Sequence, residues 1–549
     1  MEIDDIFWKI HCQNSDERMD TLKKAIDQLK VQNNMKLFCT YFETISFYYD
    51  QLSKTYKNIV LDILEDLKTC KECPVCCKKN EYLLNSGMKI SSLSSLPESI
   101  KHSRNYSDNS KTNKAVLIVP DFLSAASFLQ PPIDFLVPIS IAKEENVDMT
   151  IIDNRVMHFS FEELNNKVQN IEYIIITTSP YDHIQNYFID LRLKLTFKLI
   201  KFLKRNNENK TIIVCGAHGS LRPDIVLKET EADIVVRGEY DYLIVDLLKK
   251  LMNKQPIDSN YVYTQNDYCN NKSFSQYTHS LYHYNKYSNI LPTYENINLQ
   301  RYFENRYVKN RVVKKPNHAT ILASRGCYSC CSFCFNFWGN KVRYRSPQNI
   351  VDEMEILQKK HGVEEIFFID ATFTQNSKWV LSICNEIRKR DLKIVWSAET
   401  RCDRLNPELL TEMKKANCKS LWLGVESYCS SVLSKNQKAP SNKYILDAVR
   451  QCKQSNIIPQ QFILIGLPGE TDESLNETVC YLKKYGRHYT NSVMVATPRF
   501  GTLFYDLAQK QFPFLGNDFY SLGSVKGLVG NKLTPEKIRN AVFDIQNIK

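Results

Sequence analysis

Short runs rich in Ile, Val and Phe alternate with amphipathic helical stretches in two separate blocks, and this alternation restricts the fold more than any other feature of the chain. Between residues 114 and 252 the runs are AVLIVP, DMTIID, YIIITTS, TIIVCG and DIVVRG. Strands that are apolar on both faces need helices on both sides, which calls for a parallel sheet. Between residues 316 and 505 the runs are TILASR, EIFFID, IVWSA, SLWLGV, FILIG and SVMVAT, separated by helices such as PQNIVDEMEILQKKH. The fold class is therefore α/β: a doubly wound parallel sheet followed by a partial (βα)6 barrel. Ligands of such sheets bind beyond the carboxyl ends of the strands, and barrel chemistry sits at the same end. Asp370, Glu426 and Gly466 fall at strand ends in the second block.

The remaining segments frame these blocks. Residues 1–82 read as a helical N-terminal region, because TLKKAIDQLKV and NIVLDILEDLK place apolar residues three and four apart. Residues 83–113 are a Ser-, Asn- and Lys-rich linker, 253–315 a Tyr- and Asn-rich connector, and 506–549 a tail too short for a further domain. VPDFLSAASF replaces the glycine-rich turn a dinucleotide would need after the first strand. MEIDDIFWKIHCQ lacks a secretory pattern and no run of 18 apolar residues occurs, so a cytoplasmic location without a membrane span is expected. In that setting the 18 cysteines point to metal ligation or buried thiols rather than disulfides. A net charge of +11 over 549 residues is weak support for an anionic partner.

Four cysteines crowd the stretch SRGCYSCCSFC, directly after the first barrel strand. Cys327, Cys331 and Cys334 stand at C-x3-C-x2-C, a spacing that lets one loop turn three thiolates towards one point. Iron–sulfur clusters are commonly held by four such thiolates, so three leave one iron open to another ligand. Zinc or inert buried thiols are the alternative, but zinc usually draws paired cysteines from two segments. A second group, Cys70, Cys73, Cys76 and Cys77, suits zinc or an auxiliary iron–sulfur cluster by spacing, or carries no metal.

RGCYSCCSFC resembles the signature of radical S-adenosylmethionine (SAM) enzymes, with Phe333 as its aromatic residue. The resemblance implies a 4Fe–4S cluster on Cys327, Cys331 and Cys334, SAM on the fourth iron, and reductive cleavage to a 5′-deoxyadenosyl radical. Cys330 is then a bystander. FFIDATF, with Asp370, resembles the second-strand end near the SAM amino group. GVES, with Glu426 and Ser427, resembles the segment at the ribose and carboxylate. FILIGLPGET, with Gly466, resembles the segment beside the adenine, and TPRFGT the end of the sixth strand. The first block is similar to the cobalamin-binding domain of one branch of these enzymes, through PPIDFLVPISIA, VCGAHGSLRPD and ADIVVRGEYD. That likeness implies cobalamin contacts from Thr178, Ser179, Gly216, His218 and Gly219. No histidine lies between Val119 and Val156, so the D-x-H-x-x-G cobalt ligand is missing; His183, after the third strand, is a poor substitute.

Together the resemblances imply a cobalamin-dependent radical SAM enzyme that methylates an unactivated carbon. A cyclase or rearrangement enzyme using cobalamin without methyl transfer is the alternative, and a tRNA methylthiotransferase a more distant one. RYFENRYVKNRVVKK would suit the last reading, but residues 114–252 match a cobalamin domain better. Expected partners are a small-molecule or peptide substrate and an electron donor such as flavodoxin or ferredoxin, with nucleic acid disfavoured. No further catalytic residue is assigned.

Overall fold

The structure, a computed structural model, describes residues 15–32 and, apart from short internal segments of which 121–128 is the longest, residues 114–548. The helix Ser15–Gln32 buries Leu22, Ala25, Ile26 and Leu29, the spacing that one helix face requires. Cys70, Cys73, Cys76, Cys77 and His183 lie outside the described residues.

The first block forms a six-stranded sheet of β1 (Lys114–Val119), β2 (Asp148–Asp153), β3 (Tyr173–Thr177), β4 (Thr211–Cys215), β5 (Ile234–Val236) and β6 (Val262–Thr264). Its order is β2-β1-β3-β4-β5-β6, so the direction of winding reverses between β1 and β3. β1 to β5 are parallel, and β3 is buried along its whole length, as helices on both faces demand. β6 runs antiparallel on β5 and was not expected. Three residues are too few to show a period in the sequence, yet they cover the edge that β5 would otherwise leave open. The connector also packs: Tyr284, Tyr287 and Tyr302 are buried on the helices Leu281–Tyr287 and Leu299–Glu304.

The second block forms β7 (His318–Ile321), β8 (Glu365–Phe368), β9 (Val395–Thr400), β10 (Cys418–Glu426), β11 (Ile458–Ile465) and β12 (Thr490–Val495). All pair in parallel with their sequence neighbours, giving an open six-stranded half-barrel. Local signals start and stop its helices. Ser346 caps Pro347–His361, where Pro347 takes the first turn and Gly362 ends the helix at φ +64°. Asn376 and Asn406 cap the next two in the same way.

The residues after β12 pack on the β11–β12 end of the barrel. The helix Pro535–Gln546 packs on β12 through Ile538, Ala541, Val542 and Ile545, and Phe519, Leu522, Val525 and Val529 are buried before it.

Candidate functional site

The cysteine loop leaves β7 through Gly326, which has φ +97°. A Cβ there would meet the Lys341 carbonyl oxygen at 2.5 Å, so no other residue fits. The loop is then tied to several elements. Gln375, beyond β8, donates to the Gly326 carbonyl (3.2 Å) and accepts from the Tyr328 amide (3.1 Å). Asn436, beyond β10, accepts from both the amide and the hydroxyl of Ser332 at 3.0 and 2.9 Å. The Phe504 amide, after β12, donates to the Ser332 carbonyl at 2.9 Å.

Three thiols and two cations meet here. Cys327 Sγ lies 3.6 Å from Thr372 Oγ1, and Cys331 Sγ 3.9 Å from Arg401 Nη1. Burial raises the Cys331 thiol's pKa, while Lys438 and Arg401 pull it down. Cys334 is open to solvent in the concave mouth, yet the surrounding protein, then Cys331 and Cys327, pushes its thiol up to about 12. Among the described residues no group of three His, Cys, Asp or Glu closes around a single metal ion. A cubane cluster is a wider body, whose thiolates bind separate irons, and the donor set suits it. Cys330 is exposed, with its sulfur 3.9 Å from the Tyr328 carbonyl.

The expected SAM residues divide. Glu426 stands in the mouth at φ +63°, rare for a residue with a side chain, where a bulge interrupts the β10–β11 register. Its carboxylate pairs with Lys438 Nζ at 3.0 Å. Asp370 is fully buried behind the mouth, accepting from the Ala323 amide (3.1 Å) and the Ser324 hydroxyl (2.5 Å); burial lifts its pKa to about 6. Ser427 is also buried, with its hydroxyl turned to the Cys429 amide and Thr478. Phe333 packs half-buried against the core. Gly466 has φ +86°, and its open side is filled by Gly527, whose Cα a Cβ would meet at 2.4 Å.

Three residues of the site were not foreseen: Arg401, Lys438 and Glu399. Burial, then Asp370 and Glu426, lifts the Glu399 carboxyl to about 7. Extending the strand alternation from Ser397 would have put Glu399 and Arg401 on one face. Lys438 carries no such signal, because it arrives from a loop beyond the helix Ser430–Lys435.

At the carboxyl end of the sheet, Thr178 and Ser179 follow β3 and are fully buried. Gly216 has φ +115°, and a Cβ would meet Thr178 Oγ1 at 2.9 Å and the Ser179 nitrogen at 3.0 Å. His218 Nδ1 lies 3.0 Å from Thr178 Oγ1, and its ring sits edge-on to Phe519 at 4.8 Å. Gly219 faces Val235, whose Cγ1 a Cβ would meet at 2.6 Å. The glycines therefore serve chain-to-chain packing at these two points. Ser179 Oγ is buried without a hydrogen-bond partner among the described residues, an acceptor and donor left for a bound group. Arg222 lies over the Phe500 ring at 5.2 Å, so this end of the sheet abuts the residues that follow β12.

The domains also meet through charge. Arg325, two residues before Cys327, binds Glu239 at 2.6 Å and Asp241 at 3.1 Å, and Arg343 binds the other oxygen of Glu239.

Residues 321–482 match the radical SAM superfamily. The chain is 25% identical to an uncharacterised methyltransferase of Pyrococcus horikoshii, over 72% of this chain and 83% of the relative. It is 27% identical to the anaerobic magnesium-protoporphyrin IX monomethyl ester cyclase of Rubrivivax gelatinosus, over 57% of this chain and just over half (56%) of that protein. Its fold is similar to that of the radical SAM methyltransferase TsrM from Kitasatospora setae, solved with cobalamin and a 4Fe–4S cluster (TM-score 0.59, 14% identity, 73% and 78% of the two chains). It is also similar to the cobalamin-dependent radical SAM enzyme OxsB (TM-score 0.56, 15% identity, 75% and 56% of the two chains). Residues 321–482 thus form a radical SAM domain behind a doubly wound sheet, and the chain is an enzyme. Such a domain works with a 4Fe–4S cluster and SAM. Among the described residues no helix is long and apolar enough to cross a membrane.

Proposed function

We propose that this chain is a cobalamin-dependent radical SAM methyltransferase acting on an unactivated carbon of a small molecule or peptide. The observation that carries the reading is the meeting of two ligand ends: the carboxyl end of the sheet, at His218 and Arg222, abuts Phe519 and Phe500 at the carboxyl end of the barrel. Residues 114–252 form the cobalamin domain and 316–505 the SAM barrel. Cys327, Cys331 and Cys334 hold the cluster, and Arg401 and Lys438 offset its negative charge. Glu426 and Glu399 would supply the negative charge that a cationic SAM needs, while Asp370, Ser427, Gly466 and Phe333 would shape the wall behind it. Thr178, Ser179, Gly216, His218 and Gly219 would frame the cobalamin site, the two glycines by letting the surrounding chain pack closely and Ser179 Oγ by supplying its unused hydrogen bond. When bound, the cluster supplies the electron that splits SAM and cobalamin supplies the methyl group. A flavodoxin or ferredoxin in the cytoplasm would reduce the cluster.

The likeness to a cyclase supports a second reading, rearrangement without methyl transfer. Anaerobic reconstitution with methyl-labelled SAM separates the two: label in the product favours methylation, whereas unlabelled product with 5′-deoxyadenosine favours rearrangement. Cys327→Ala, Cys331→Ala and Cys334→Ala should each lose the cluster's absorbance and all 5′-deoxyadenosine. Cys330→Ala should keep both, and loss of the cluster in that variant would overturn the ligand assignment.

A further inference from the structure

Arg325 is only 5% exposed, and among the described residues its charge is answered from the sheet domain, by Glu239 and Asp241, themselves 5% and 1% exposed. Its guanidinium is also boxed by rings, 4.1 Å from the Tyr242 centroid and 4.8 Å from that of Trp338. The same carboxylates lead back to the ligand end of the sheet. Tyr181, two residues after Ser179, donates to Asp241 at 2.6 Å, and Tyr240, between Glu239 and Asp241, gives its proton to Asp134 at 2.5 Å while its oxygen lies 3.3 Å from the Ser179 carbonyl. On the other side, Arg325 lies one residue from Gly326 and two from Cys327. Buried contacts therefore link the segment after β3 to the cysteine loop: Tyr181 binds Asp241, Asp241 binds Arg325, and two residues of backbone separate Ser179 from Tyr181 and Arg325 from Cys327.

Burying three charges is a poor way to add stability, since an apolar contact of the same shape does as well or better. What a two-pronged guanidinium does supply is a single orientation, because its donors are planar and fixed. Apolar surfaces at this seam would tolerate sliding; the fork does not.

We propose that Arg325 is a positioning residue that couples the sheet's ligand site to the cysteine loop, so that cobalamin bound at Ser179 and Gly216 restrains residues 326–339. The inference rests on the cobalamin site proposed above. It is not part of the cluster's own ligation, and Arg325 need touch neither substrate nor cofactor.

Hydrogen–deuterium exchange of the full chain, with and without hydroxocobalamin, tests it. In the native protein cobalamin should slow exchange both at 178–181 and 216–221, around its own site, and at 326–339, the last by about fivefold or more. In Arg325→Met the first effect should persist and the second vanish, with Arg325→Lys restoring part of it. The reconstituted variant should still make 5′-deoxyadenosine while the yield of methylated product per deoxyadenosine drops about tenfold. A residue with a merely structural role would lower protection everywhere and leave that ratio unchanged. Persistent protection of 326–339 in Arg325→Met overturns the coupling. Absence of protection at 216–221 in the native protein overturns the cobalamin site itself, and the coupling with it. Should Arg325→Met not fold, Asp241→Asn, which keeps the shape and removes one charge of the fork, is read in the same way.

Discussion

Glu399 and Glu426 stand on adjacent strands at the mouth of the barrel, and among the described residues Lys438 pairs with Glu426 alone. Burial and the neighbouring carboxylates hold the Glu399 pKa near 7, above its ordinary value of 4.5. The folded chain therefore binds this proton more tightly than the unfolded chain does. Its contribution to stability is lost as pH rises from 4.5 through 7, and the full penalty applies above 7. Glu399→Gln should raise the melting temperature of the cofactor-free protein at pH 8 by about 2 °C and leave it unchanged near pH 5. Thermal scans at the two pH values check this, and an equal gain at both would contradict it. Residues of this kind were only partly legible. The thiols and strand-end carboxylates announced themselves by spacing, but Asp370 and Ser427 turned out to face the wall. Which way a strand-end side chain points depends on the loop that follows, and the Glu426 backbone at φ +63° shows how far such a loop departs from a regular strand.

Elements were more legible than side chains, because periodicity and caps are local. All six barrel strands and all five parallel sheet strands follow from apolar runs, and Ser346, Asn376 and Asn406 cap their helices with their own side chains. β6 escaped notice because three residues carry no period. The end of β11 shows how one element depends on a distant one: Gly466 leaves space that Gly527 fills. Alanine at 466 would suffer both the φ of +86° and a Cβ 2.4 Å from the Gly527 Cα. Gly466→Ala should lower stability by roughly 2 kcal/mol or more, since backbone cannot yield as a flexible side chain can. Denaturant unfolding measures it; an unchanged midpoint would mean that the final segment is not seated there.

For the whole molecule, the segment after β12 covers the last two barrel strands and joins them to the sheet domain. Ile538 and Val495 crowd around Gly527, and Phe519 joins Phe500 to His218 of the sheet domain. A chain ending at Gln511 would uncover β12 and this seam. It should therefore aggregate or unfold without a cooperative transition, which gel filtration and a thermal scan would reveal. A monodisperse, cluster-binding truncation would show that the half-barrel stands alone. The sequence by itself determined the α/β class, the two blocks and the spacing of the cysteine triad. Each of these is written in neighbouring residues, as a period or a spacing. Only the tertiary structure decided that Arg401 and Lys438 stand by the thiols, that Glu399 lies between two other carboxylates, and that Arg325 reaches carboxylates 84 and 86 positions away in the chain. Those meetings depend on strand order and on how two domains dock, and charges brought together across such distances leave no local pattern to read.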